Sequence, residues 1–186
     1  MMNEQELKEF YNNGLLAFEK QNYDYATEIF SQILSVQYDN LEARKYLHLS
    51  LQKKAQGSKP SLASFVNKAF LLMQANAMLK KDVIPGSLEI LEKIMAANPN
   101  DSEILKKIAD IFYKKGMTMH AINNLEEAKT VNPKDIDALK KLGELYVKKE
   151  DYHNAKSAYE SALKINPNDT EVLKSLKNLD ALGTMK

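Results

Sequence analysis

The chain has 186 residues, 44% of them hydrophobic and 27% charged, with 26 basic residues against 25 acidic ones. The apolar share suffices for a packed core in one or two domains or a short repeat array, while a net charge of +1 supplies no global field for DNA, RNA or an anionic membrane. The absence of cysteine removes disulfides, thiolate metal sites and cysteine nucleophiles.

The chain opens Met1-Met2-Asn3-Glu4, polar and acidic, so no signal peptide is expected. Residues 41–55 read as a helix. Gln56-Gly57-Ser58-Lys59-Pro60 is a break, because Gly ends helices and Pro starts them. Residues 61–81 then read as one long helix, unless Asn67 acts as an N-cap and splits it; both readings are open. Within it lies the longest apolar run, 69–78, interrupted by Gln74 and Asn76 and well short of the roughly 20 residues that cross a bilayer. A soluble, cytoplasmic protein without membrane insertion is expected, with a leader or neighbouring domain outside this chain left open.

From residue 98 onward a period governs the sequence. Asn98-Pro99-Asn100-Asp101, Asn132-Pro133-Lys134-Asp135 and Asn166-Pro167-Asn168-Asp169 follow one another at 34 residues. Proline cannot continue a helix interior, so each Asn-Pro ends a helix and turns the chain. Asp101, Asp135 and Asp169 then stand where an N-cap is wanted. Over 136–149 the apolar residues Ile136, Leu139, Leu142, Leu145 and Tyr146 recur at helical spacing between charged ones. Small residues (Ala109, Gly143, Ala121, Ala155, Ala128, Ala162) mark close helix approach, and Phe112, Tyr146 and Tyr159 fill the volume left. Residues 170–182 read as a closing helix whose Lys174, Lys177 and Asn178 give it a polar outer side.

Residues 136–169 resemble the tetratricopeptide repeat family at all eight signature positions: Leu139, Leu142, Gly143, Tyr146, Ala155, Tyr159, Ala162 and Pro167. Residues 102–135 match through Leu105, Ile108, Ala109, Phe112, Ala121, Leu125, Ala128 and Pro133. Residues 68–101 are weaker, with Gln74 and Ser87 departing, and 1–40 is a degenerate unit with Phe10, Gly14, Ala17, Ala26, Phe30 and Ile33 in place, Asn13 off pattern and Tyr38 for the proline. A repeat begun at Leu41 should lead to the next at 75, yet the next good register starts at Lys68, so 41–67 is about one helix short. The resemblance implies an all-α, right-handed superhelical solenoid of antiparallel helix pairs with about ten helices, closed by 170–186.

Catalytic chemistry has no candidate residues. His48, His120 and His153 lack a second histidine or carboxylate at metal-ligand spacing and are expected on the solvated surface. There is no phosphate-binding glycine loop or nucleophile elbow. Lysine pairs such as Lys106-Lys107 and Lys140-Lys141 alternate with acids as on ordinary soluble helices. No metal, cofactor, nucleic-acid partner or enzymatic activity is expected.

The resemblance instead implies a protein-interaction scaffold binding a peptide or helix on a concave wall lined by the first helix of each pair. Carried over position by position, that wall holds Tyr11, Leu15 and Phe18; Leu72, Asn76 and Leu79; Lys106, Asp110 and Tyr113; and Lys140, Glu144 and Val147. The apolar residues concentrate in the N-terminal half, where they form a binding surface or lie under the unmatched helix at 41–56. Family members that clamp a chaperone's C-terminal carboxylate use Lys and Asn at positions occupied here by Leu72, Asn76, Lys107, Asp137 and Lys141, and Leu72 and Asp137 do not suit that task. The alternative is a self-assembly or spacer module of a larger protein, with Leu15, Phe18, Leu72 and Leu79 at a homo-oligomer contact.

Overall fold

The computed structural model describes residues 4–56 and 62–183. Among them are ten α-helices and no strand: α1 (Glu4–Glu19), α2 (Tyr23–Val36), α3 (Leu41–Lys54), α4 (Leu62–Lys80), α5 (Ile84–Ala97), α6 (Ser102–Lys114), α7 (Thr118–Val131), α8 (Ile136–Lys148), α9 (Tyr152–Ile165) and α10 (Thr170–Gly183). None is long and apolar enough to cross a membrane. Two compact units divide the chain, Met1–Ile104 and Leu105–Lys186, with α6 starting at the end of the first and running on into the second.

The Asn-Pro rhythm sets the helix ends as expected. Asn98, Asn132 and Asn166 are the C-caps of α5, α7 and α9. The aspartate three residues on opens the next helix: Asp101 accepts from Ile104 N, Asp135 from Ala138 N and Asp169 from Val172 N, at 3.0–3.3 Å. Of the break expected at 56–60, residues 57–60 lie outside the described residues. Beyond it α4 runs through Asn67 without interruption, so the reading in which Asn67 splits the helix is not realised.

A second periodic device joins first to second helices. Gln21, Asp82, Gly116 and Glu150 all have φ between 56° and 76°, and the last three are spaced by 34 residues. This left-handed residue lets the next N–H reach back five residues to a helix carbonyl, as in Asn22 N→Ala17 O, Val83 N→Met78 O, Met117 N→Phe112 O and Asp151 N→Tyr146 O, all 2.9–3.0 Å. The matching position after α3 is Ala55, whose φ is −84°. The turn that would launch a second helix from α3 is absent, which is the structural form of the register break.

In the second unit α8 packs between α7 and α9, and α10 covers α9. Leu139, Ala155, Tyr159, Ala162, Val172 and Leu179 form its buried centre. Gly143 faces the Tyr159 ring so closely that an added Cβ would overlap it. In the first unit α2 packs against both α1 and α3, and α4 pairs with α5. Phe30 and Leu47 are fully buried there, as are Leu88 and Leu91.

Candidate functional site: the first-helix faces

The residues expected to line an inner wall fall into three groups. Lys106 and Lys140 are turned toward helix caps. Lys106 Nζ sits 2.7 Å from Asp135 Oδ2, with the two side chains 14% and 8% exposed. Lys140 bonds Glu171 and lies 3.5 Å from Asp169. Burial opposes ionisation of Asp135, yet the Lys106 bond and the Ala138 N–H outweigh it and hold its pKa below the usual carboxylate range. The Val172 N–H, with Lys140 nearby, depresses Asp169 likewise, and the Glu171 bond raises Lys140. These lysines tie each first helix to the cap of the next. Unit 68–101 has Leu72 at the matching position, and its tie is made one turn earlier by Lys68, 2.5 Å from Asp101.

The second group shares the surface of α6 and α8. Lys141 donates to Asp110 at 2.7 Å, and Lys148 Nζ stands 5.1 Å from the centre of the Tyr113 ring. Tyr113 is 48% exposed. Glu144 is exposed and Val147 half-buried. The result is an aromatic platform rimmed by both signs of charge.

The third group is in the first unit. Tyr11 and Phe18 are half-buried against Tyr46 of α3, with ring centroids 6.3 and 5.4 Å apart, and Tyr46 stacks on buried Phe30 at 5.5 Å. Burial, with Glu42 and Tyr46 nearby, pushes the Tyr11 hydroxyl up to about 12. Tyr46 of the helix at 41–56 therefore lies against both rings. Leu15, Leu72 and Leu79 are half-buried, and Asn76 is exposed.

The expected surface placement of the histidines holds for His153, which is exposed, and fails for His48. His48 is 1% exposed, and its Nε2 lies 2.7 Å from Glu92 Oε2. Arg44, 3% exposed, donates from Nε to Glu92 Oε1 at 2.8 Å and from Nη1 to the Tyr38 carbonyl at 2.9 Å. Burial would raise the Glu92 pKa, but His48 and Arg44 overcome it and bring it down to about 2. The signal was present in the repeat count: from Leu41, Arg44 and His48 stand where Leu139 and Gly143 stand in 136–169, positions that face a second helix. His120 is half-buried and lies tilted against Phe112, with ring centroids 4.8 Å apart. Beside this network α2, α3 and α5 line a partly open pocket of about 350 Å³. Among the described residues no cluster of His, Asp or Glu is arranged to hold a metal ion.

Comparison with known proteins places these features. Residues 136–169 match the family model of the tetratricopeptide repeat. No curated protein matches the chain. Among solved structures, the C-terminal part of a TPR repeat-containing protein from Cytophaga hutchinsonii is similar at TM-score 0.58 and 17% identity, covering 92% of this chain and 70% of that one. The first TPR of Spaghetti (RPAP3), solved bound to the HSP90 peptide SRMEEVD, is similar at 0.54 and 19% identity, covering 62% and 92%. The Sgt2 TPR domain from Aspergillus fumigatus is similar at 0.53 and 21% identity, covering 67% and 82%. At these identities the likeness concerns the fold. Residues 136–169 thus carry the motif of the tetratricopeptide repeat family, and the chain as a whole has the all-α fold of solved tetratricopeptide repeat structures.

Proposed function

We propose that this chain is a protein-interaction scaffold that binds a peptide or helix of a partner on the α6–α8 face. The observation that carries the reading is the exposed Tyr113 ring, fixed by Lys148 and flanked by Asp110, Lys141 and Glu144. A tyrosine offers a large rigid contact at little entropic cost, and mixed charge around it selects register more than it adds affinity. Solved proteins of the same fold support the class of partner, since RPAP3 was captured with a peptide. The carboxylate-clamp version is not supported: Leu72 is apolar, Asp137 repels a carboxylate, and Lys141 is bonded to Asp110.

The test uses a displayed peptide library and the intact chain. Selected peptides should lose roughly tenfold or more in affinity on Tyr113→Ala and change charge preference on Glu144→Lys, with unchanged melting. Full retention of binding in both variants removes this face from the reading.

A further inference from the structure

The register break leaves a mark on α4. In a regular unit the third and tenth residues of the first helix are buried where it packs on the preceding second helix. Ala43 and Ser50 of α3 are both 0% exposed; Ala138 and Leu145 of α8 are 0% and 5%; Val172 and Leu179 of α10 are 1% and 4%. On α4 the same two positions are Phe70 and Ala77. Phe70 is 56% exposed, Ala77 is exposed, and Met73 between them is 61% exposed. Among the described residues the unit begun at Leu41 has no second helix to cover them, and α4 packs on its own partner α5 as α8 does on α9. Seven residues separate α3 from α4, whereas α2, α5, α7 and α9 each have 14.

We propose that this stripe is the contact through which two copies of the chain associate about a two-fold axis, α4 against α4. Three observations favour a second copy. Residues 69–79 contain no charged side chain in a chain that is 27% charged, so the same face can meet itself without setting like charges opposite each other. The spacing is self-complementary: an antiparallel crossing centred between Met73 and Gln74 sets the large Phe70 of each copy over the small Ala77 of the other, the isologous arrangement a closed dimer requires. The stripe is also the right size for a weak contact. The described face of α4, residues 67–80, is roughly 21 Å long and 10 Å wide, giving on the order of 200 Å² per copy, well below the roughly 800 Å² per partner of a standard stable interface. The dimer is therefore a weak, concentration-dependent one. It differs from the contact expected from sequence through Leu15, Phe18, Leu72 and Leu79, all of which are half-buried.

Sedimentation equilibrium of the full chain across concentration tests this. The mass should rise from monomer to dimer, and Met73→Glu or Phe70→Glu should raise the dissociation constant at least about tenfold without altering the far-UV spectrum or melting, since both side chains are exposed. The chain has no cysteine, so Met73→Cys treated with a short bis-maleimide should give a covalent dimer, while His153→Cys should not. A strict monomer into the millimolar range overturns the proposal and leaves the stripe to a helix of another protein. A dimer unaffected by Met73→Glu, or one in which the two cysteine variants cross-link equally, overturns it in favour of another contact.

Discussion

Single residues in this fold are constrained most where two helices come within reach of each other's backbone. At Gly143 two effects compete. Alanine is the better helix former by about 1 kcal/mol, but its Cβ would enter the space of the Tyr159 ring, a side chain only 3% exposed. Overpacking a filled site costs about 1–3 kcal/mol, so the clash wins. Gly143→Ala should lower the thermal midpoint of the second unit's unfolding by several degrees when followed by circular dichroism; a higher midpoint would mean that the ring moves aside freely. The sequence made this site legible, because Gly143 and Tyr159 both stand at recurring positions. It did not make His48 legible in the same way. A histidine surrounded by Leu47, Leu49 and Ser50 carries no local sign of burial, and only counting forward from Leu41 shows that it stands in the Gly143 position.

Elements in this chain are joined by one repeated turn, and the turn is chemically imperfect in three of its four instances. Gly116 adopts φ 76° without steric penalty, whereas Gln21, Asp82 and Glu150 hold φ 56–59° against their own Cβ atoms. Gln21→Gly should therefore stabilise the first unit by about 1 kcal/mol, visible as a higher denaturant midpoint with an unchanged slope. A lower midpoint would show that glycine's extra freedom in the unfolded chain outweighs the relief. The helices themselves were readable from proline spacing and apolar period, including the unmatched one at 41–55, observed as Leu41–Lys54 with Ala55 as its cap. The side-chain ties were not. Lys106 and Lys140 sit at positions that the family resemblance assigns to ligand binding, and nothing in a single sequence distinguishes a lysine that reaches outward from one that reaches along the array to the next cap.

At the scale of the whole chain the ionisable groups set an acid limit. Glu92 has its pKa lowered from 4.5 to about 2 in the fold. A depressed carboxylate contributes stability that is present above its unfolded value and is lost as pH falls toward the folded one. The first unit should accordingly weaken between about pH 4.5 and 2. Glu92→Gln removes that dependence and takes the compensating carboxylate from the buried Arg44 guanidinium, at a cost of about 3–5 kcal/mol at neutral pH. Urea unfolding of both proteins at neutral and acid pH checks the sign: the gap between them should narrow on acidification, and a constant gap would show that Glu92 does not carry the effect.

The lysine-to-cap ties bear on how such an array can grow. Lys106 reaches Asp135 and Lys140 reaches Asp169 across the same number of residues, so a duplicate of 136–169 spliced in behind the original would find a matching lysine ahead of it and offer one to whatever follows. Lengthening the chain there conserves the lysine-to-aspartate tie at the seam. No equivalent freedom exists at residue 41, where the preceding unit carries Tyr11 at the lysine position and Asn40 at the cap, so an inserted unit would have to bring its own way of fastening.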